Sequence, residues 1–268
     1  SFRPDGSELV VAVGNRVLVY DAGDGSLLHS LKGHKDSVYC VDYARNGKRF
    51  ASGGADRTVI IWTARAEGIV KFTHLDSIQK VAYNPVTQQL ASCTGSDVGL
   101  WSPEQKSVQK EKVSSRVLSA SWTRDGQYLA LGMVNGVISI RDKAGQEKVT
   151  ITRPAPVWTL CWSPSRKEAA ELLAVGCWDR TLSLYQLNGT QHKSDRKLGF
   201  DPCTLSFYND GAYVLAGGSD RAASLWSKRA LKLGDVATED GWVWAAAQRP
   251  PKQPYVAVAS HAGRVSVH

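Results

Sequence analysis

The sequence has 268 residues, with 24 glycines, nine tryptophans and one methionine. This length suits a single all-β domain, and many glycines and tryptophans indicate frequent turns and aromatic packing rather than a helical bundle. The 33 Lys and Arg residues exceed the 25 Asp and Glu residues, which gives a formal net charge of +8. Such an excess fits a nucleic acid, membrane or acidic protein partner, and equally a solvated rim.

The basic surplus lies largely in polar stretches, a placement that favours a solvated rim. These stretches run from Lys106 to Arg116, Arg141 to Lys148, His192 to Lys197 and Lys228 to Lys232.

The cysteine pattern argues against a secreted protein held together by disulfides. Five cysteines lie among apolar strands without a CxxC pair, and their odd number favours a reducing compartment facing the cytosol. No signal peptide or apolar run of transmembrane length is visible. Because the chain opens inside a repeat at Ser1 and Phe2, we expect a fragment of a longer protein.

Read in chain order, the predicted elements form a repeat that occurs seven times. Each copy has an apolar run, a turn, a strand of small residues and a final strand. The final strands read VLVY, VIIW, VGLW, ISIR, LSLY, ASLW and VSVH, and they end at Tyr20, Trp62, Trp101, Arg141, Tyr185, Trp226 and His268. Repeats of about 40 to 45 residues with four short strands are typical of propeller blades. The sequence therefore predicts an all-β, seven-bladed propeller over residues 1–268 as a single domain.

A second column of mostly aromatic residues supports this reading. It comprises Phe2, Tyr43, Tyr83, Trp122, Trp162, Phe207 and Gln248, and the residues directly before these are Ser1, Asp42, Ala82, Ser121, Cys161, Ser206 and Ala247. This alternation of bulky and small residues indicates strands with one packed face. The last repeat stops without an outer strand, so we expect residues upstream of Ser1 to complete the seventh blade.

The second repeat, LKGHKDSVYCVDYARNGKRFASGGADRTVIIW, resembles the WD-repeat family along its whole length. That resemblance implies a structural, non-catalytic tetrad of hydrogen-bonded side chains, formed here by His34, Ser52, Asp56 and Trp62. A carboxylate, an imidazole, a hydroxyl and an indole can satisfy one another in such a network.

Other repeats keep the tetrad only in part. Blade three has His74 and Ser92, but Asp97 lies four residues before the terminal Trp where Asp56 lies six. Blades five and six keep an aspartate at the spacing of six without the histidine.

Further phrases resemble the N-terminal first propeller of a subunit of intraflagellar transport complex A. They are LASCTGSDVGLWSPEQKSV, DGQYLALGMVNGVISIRDKAGQEKVTITRP, FDPC and GWVWAA, and the likeness runs from Leu31 to about His268. It implies a non-enzymatic scaffold without a cofactor or metal, which supports retrograde transport, cilium assembly and the admission of membrane cargo into the cilium. Implied partners are other complex A subunits, tubby-like cargo adaptors, complex B trains and the dynein motor. Implied locations are the cilium or flagellum, the basal body and the cytoplasm, close to membranes but without a transmembrane segment.

The residues favour binding over catalysis. The column of small residues contains one ionisable side chain, Asp42, and the six histidines lack paired metal-ligand spacing, whereas an enzyme needs convergent acids, bases or ligands. Basic residues lie mostly in connections and aromatics in core columns, so no nucleic-acid partner is predicted. Another intraflagellar transport subunit or a vesicle-coat subunit would share this architecture.

Four tryptophans lie outside both columns, and we expect them to form an aromatic patch on blades five to seven that receives a segment of a partner. By analogy with WD propellers that grip peptides, Trp158, Trp242 and Trp244 lie at the start of innermost strands, and Trp178 directly precedes a turn aspartate. Large aromatic side chains are typical interface anchors. The alternative, that these rings only pack between blades or cover the channel, stays open at this point.

Overall fold

The computed structural model describes residues 1–105, 107–164, 171–227, 231–250 and 255–268. Every regular element in these ranges is a β-strand, and the seven sheets are the blades of a β-propeller, as the repeats predict. Lys106 and residues 228–230, which belong to two of the basic stretches, lie outside the described residues. The chain divides into two compact units, Ser1–Ala120 and Ser121–His268.

The first unit contains three antiparallel sheets. The first sheet has β1 (Glu8–Val13), β2 (Arg16–Asp21) and β3 (Leu27–Lys32). The second has β4 (Val38–Tyr43), β5 (Arg49–Gly54), β6 (Thr58–Thr63) and β7 (Gly68–Thr73). The third has β8 (Lys80–Tyr83), β9 (Leu90–Cys93), β10 (Asp97–Trp101) and β11 (Gln109–Lys112).

Four more sheets follow, beginning with β12 (Val117–Trp122), whose sequence contains the boundary between the units. The fourth continues with β13 (Tyr128–Met133), β14 (Val137–Asp142) and β15 (Glu147–Thr152). The fifth has β16 (Val157–Trp162), β17 (Leu173–Cys177), β18 (Thr181–Tyr185) and β19 (Gln191–Lys197). The sixth has β20 (Pro202–Tyr208), β21 (Tyr213–Gly218), β22 (Ala222–Ser227) and β23 (Lys232–Thr238). The seventh has β24 (Val243–Gln248), β25 (Val256–Ser260) and β26 (Val265–Val267).

Each blade has a buried middle and an exposed outer edge. All five residues of β18 are buried, whereas all seven residues of β19, its neighbour, are exposed. This gradient follows from the sequence, because the third strands are rich in Val, Ile and Leu and the fourth strands in Lys, Gln and Ser. The seven terminal residues read from the sequence lie within one residue of the ends of β2, β6, β10, β14, β18, β22 and β26.

The aromatic column is largely core, and the small column connects neighbouring blades. Tyr83 and Trp162 are 7% and 5% exposed. The Asp42 carboxylate accepts a hydrogen bond from the backbone N–H of Tyr83 at 2.8 Å, and the Ser121 hydroxyl accepts one from that of Trp162 at 3.1 Å. A polar member of the small column thus satisfies a backbone donor of the next blade.

Candidate functional site

The four predicted tetrad residues form a continuous hydrogen-bonded chain in the second blade. Trp62 Nε1 donates to Ser52 Oγ at 2.9 Å, and Ser52 Oγ lies 2.8 Å from His34 Nε2. Because the Asp56 carboxylate only accepts, Nδ1–H of His34 donates to it at 3.0 Å, and Nε2 accepts a hydrogen bond from the Ser52 hydroxyl. Every polar group is satisfied internally, so this network stabilises the blade and leaves no free group for chemistry.

The third blade builds a similar network from a different aspartate position. His74 Nδ1 lies 2.8 Å from Asp97 and its Nε2 lies 2.9 Å from Ser92 Oγ. Thr94 Oγ1 also donates to Asp97 at 2.9 Å. The aspartate reaches the histidine from the start of β10 instead of from the turn before it. Burial lowers the pKa of His74, although the hydrogen bond to Asp97 opposes this shift.

In the fifth blade an arginine, which the sequence reading overlooked, takes the place of the histidine. Arg153 is 8% exposed, and its guanidinium pairs with Asp179 at 3.1 Å and with Asp195 at 2.8 Å. It also donates to the hydroxyl of Tyr185 at 3.0 Å. Burial alone would raise the pKa of Asp195, but the bonds from Arg153 and Ser183 lower it.

A recurring backbone hydrogen bond shows that Arg153 occupies the same position in its repeat as His74. The N–H of His74 donates to the carbonyl of Arg57 at 2.9 Å, and the N–H of Arg153 donates to that of Gly136 at 2.8 Å. The equivalent bonds before the sixth and seventh blades start at Leu198 and Glu239. Before the fourth blade the equivalent bond starts at Val113, so the histidine column continues with a valine, an arginine, a leucine and a glutamate.

The structure brings the four candidate tryptophans together in the second unit, and we call Trp158, Trp178, Trp242 and Trp244 the aromatic patch. The rings of Trp158 and Trp178 stack with centroids 4.2 Å apart and planes 8° apart. Trp244 lies 6.1 Å from Trp158 and 5.6 Å from Trp242, tilted in both cases. Offset-stacked and tilted contacts of this kind are favourable for aromatic rings.

Two β-bulges explain how residues from different blades meet. The register shifts between Val157 and Thr159 in the fifth blade and between Val243 and Ala245 in the seventh, so Trp158 and Trp244 are the extra residues. A bulge re-aims its side chain. The sixth blade has the same shift around Cys203, which is small and 6% exposed. We interpret this small residue as the reason that Trp158 and Trp244 can approach each other.

The patch has an inner and an outer part. Trp158 and Trp178 are half-buried, whereas Trp242 and Trp244 are 39% and 37% exposed. Trp244 Nε1 donates to Nδ1 of His261 at 3.3 Å. His261 is a residue that the sequence did not indicate. Its N–H donates to the carbonyl of Trp242 at 2.8 Å, and the N–H of Trp178 donates to the carbonyl of Pro156 at 3.0 Å. His261 therefore occupies in the seventh blade the position that Trp178 occupies in the fifth.

Metal binding and cysteine reactivity can be judged from the described residues. None of their His, Cys, Asp and Glu side chains form a group of three or more that could hold a metal ion. Burial raises the pKa of the Cys40 and Cys203 thiols to about 12, so these thiols are protonated and unreactive near neutral pH. Within the described ranges, no helix has the length and apolar character needed to cross a membrane.

Comparison with known proteins gives one consistent result. A family profile described as "IFT122 first beta-propeller" matches residues 1–268. The chain is 57% identical over 272 residues to the intraflagellar transport protein 122 homolog of Mus musculus, covering 100% of the chain and 23% of that relative. The Danio rerio homolog is 57% identical over 270 residues, with 99% and 23% coverage. The Homo sapiens homolog is 46% identical over 331 residues, with 100% and 27% coverage. The chain thus spans about a quarter of these relatives.

Proposed function

Because the chain belongs to the family of IFT122 first beta-propellers, we propose that it is a non-enzymatic interaction domain of an intraflagellar transport complex A subunit. The membership confirms the resemblance seen in the sequence. In this role the domain contacts other subunits of the complex and supports retrograde transport, cilium assembly and the admission of membrane cargo. Its place of action is the cilium, with the basal body and cytoplasm as the sites of assembly.

The observation that carries this proposal is the aromatic patch. Trp242 and Trp244 expose more than a third of their surface beside the stacked, half-buried pair. Exposed tryptophans on a rigid scaffold bury a large area on binding and lose few rotamers, which makes them efficient anchors. The hydrogen-bonded tetrad of the second blade is, by contrast, satisfied within the fold. We therefore assign partner binding to the patch and stability to the networks.

The patch also bears on the choice between anchoring and packing. The stacked pair of Trp158 and Trp178 supplies a rigid base. Trp242 and Trp244 are more exposed than this pair and supply the contact area. A patch that served packing alone would place its outer rings in the core, as the aromatic column does with Trp162 at 5% exposure.

The test uses the full-length protein in ciliated cells, with Trp242 and Trp244 both replaced by alanine. We expect recovery of complex A subunits in affinity purification to fall several-fold, while the melting temperature of the propeller stays within a few degrees of the parent. Tyr39→Ala is the matched control, because Tyr39 is a bulge residue in the second blade and is 53% exposed. Unchanged recovery in the double variant, or a fall in recovery matched by a fall in melting temperature, would contradict the proposal.

A further inference from the structure

The turn between β21 and β22 in the sixth blade lies at the same end of the sheet as the aromatic patch. The rings of Trp158 in the fifth blade and Trp244 in the seventh lie 6.1 Å apart, and β20 of the sixth blade contacts both β16 and β24. The N–H of Ser219 in this turn donates to the carbonyl of Asp201 at 3.1 Å, and His261 makes the equivalent bond in the seventh blade. The patch therefore extends across the end of the sixth blade that carries this turn.

The fifth and sixth blades share the geometry of this turn, and each places an arginine at its end. Arg180 and Arg221 both follow an aspartate and have φ angles of 65° and 63°, which are rare for a residue other than glycine. The carbonyl of Arg180 accepts a hydrogen bond from the N–H of Leu198 at 2.8 Å. The carbonyl of Arg221 accepts one from the N–H of Glu239, also at 2.8 Å. The two arginines therefore leave the backbone at equivalent positions.

The residue that follows in the next blade differs between the two arginines. Asp201 and Trp242 each lie three residues after the donor of that bond. Arg180 Nε is 3.1 Å from the carboxylate of Asp201. In the seventh blade Trp242 takes the place of the aspartate, and an indole N–H offers no acceptor to a guanidinium. Arg221 is exposed and forms no ion pair with any carboxylate that the structure describes, so its donors are available beside the patch.

This edge of the patch combines ring surface with one positive charge. Trp242 and Trp244 are 39% and 37% exposed, and a large apolar side chain can bury area against them. A guanidinium that lies beside an indole keeps its N–H edge for a planar, bidentate bond to a carboxylate. Arg221 supplies such a guanidinium. The surface therefore suits a ligand that is apolar at one point and negatively charged at the next.

We propose that the aromatic patch and Arg221 together bind a segment of a partner protein in which an Asp or Glu side chain lies beside a large apolar side chain. The apolar side chain packs on the rings of Trp242 and Trp244. The carboxylate pairs with Arg221, and a carboxylate is favoured over a phosphate because Asp201 already holds that place in the equivalent turn. This inference rests on the proposed function and adds the chemistry of the partner segment.

A zero-length crosslink tests this pairing in purified complex A. Arg221→Lys keeps the positive charge and supplies an amine, and a water-soluble carbodiimide then joins that amine to a carboxylate in contact with it. We expect mass spectrometry to find a crosslink from position 221 to an Asp or Glu of another subunit, next to a large apolar residue. The matched control is Arg57→Lys, because Arg57 is exposed and has a φ of 62° in the equivalent turn of the second blade. No crosslink from position 221 to another subunit, or an equal yield from position 57, would overturn the inference.

Charge variants of the full-length protein test the sign of the partner's charge. Arg221→Glu should lower the recovery of complex A subunits several-fold in affinity purification without lowering the melting temperature, because Arg221 has no ion pair to lose. Asp240→Asn removes an exposed negative charge in the loop before Trp242, and it should not lower recovery, since it removes repulsion from an acidic segment. An equal fall in both variants would indicate a cationic partner and overturn the proposal. A phosphatase treatment that lowers recovery as much as Arg221→Glu would overturn the choice of a carboxylate.

The outcomes also separate this inference from the proposed function. If replacement of Trp242 and Trp244 by alanine lowers recovery but Arg221→Glu does not, the patch binds a neutral segment and only the inference about charge fails. If the double tryptophan variant leaves recovery unchanged, the proposed function fails.

Discussion

At the scale of single residues, one position in the repeat serves different blades with different chemistry. Its members include His74, Arg153 and Glu239, which share the same backbone hydrogen bond. His74 and Arg153 each bind an aspartate of their own blade, at 2.8 and 3.1 Å. The WD pattern predicts the histidine alone, because an arginine fits no WD motif. The structure shows that Arg153, whose side chain is longer than that of histidine, extends far enough to bind Asp179.

His74 makes stability depend on pH in a defined direction. Burial lowers its pKa from the ordinary value of 6.5, so the unfolded chain takes up the proton more readily than the folded one. The free energy of unfolding should therefore fall as the pH drops through about 6.5, by at most about 1.4 kcal/mol per pH unit for one group. Denaturant unfolding between pH 8 and 5 measures this slope.

His74→Asn should reduce the dependence of the free energy of unfolding on pH, because the buried imidazole is gone. The variant should also be less stable overall. His192→Asn is the control, since His192 is exposed on β19. An identical slope in the parent and in His74→Asn would show that the buried imidazole does not carry the effect.

At the scale of strands, the repeats predict the order of elements but not the bulges. The residue that ends each repeat can be predicted from the sequence, because mostly aromatic residues recur there at a nearly fixed spacing after an apolar strand. A bulge adds one residue to a strand without a sequence marker, as the residues around Trp158 and Trp244 illustrate. The sequence thus indicated four candidate tryptophans at strand starts and turns. It also predicted that they form one patch, but it could not predict which rings stack or tilt against each other, or that His261 joins them.

The bulge in the sixth blade leads to a prediction about Cys203. If its small size allows Trp158 and Trp244 to approach, Cys203→Leu should separate the rings, shift tryptophan emission to longer wavelength and cost about 1–3 kcal/mol of stability through overpacking. Cys203→Ala should keep the emission of the parent. Unchanged emission in Cys203→Leu would mean that another contact sets the distance between the rings.

At the scale of the whole molecule, the fold follows from repetition, whereas the partner follows from particular surfaces. Seven copies of one phrase predict seven blades, because each sheet buries its faces against similar neighbours. The same architecture serves many unrelated proteins, so the partner has to be argued from side chains. Among the residues that the structure describes, the aromatic patch is such a surface, because Trp242 and Trp244 are more than a third exposed. The net charge of +8 adds solubility and long-range attraction to acids but no specificity.

The central claim is that the aromatic patch is a contact surface of the assembled complex. Hydroxyl-radical footprinting read by mass spectrometry tests it most directly, by comparing the full-length protein alone with the protein in purified complex A. We predict that oxidation of Trp242 and Trp244 falls several-fold on assembly, while oxidation of Tyr39 stays the same. Equal oxidation of the two tryptophans in both samples would contradict the account.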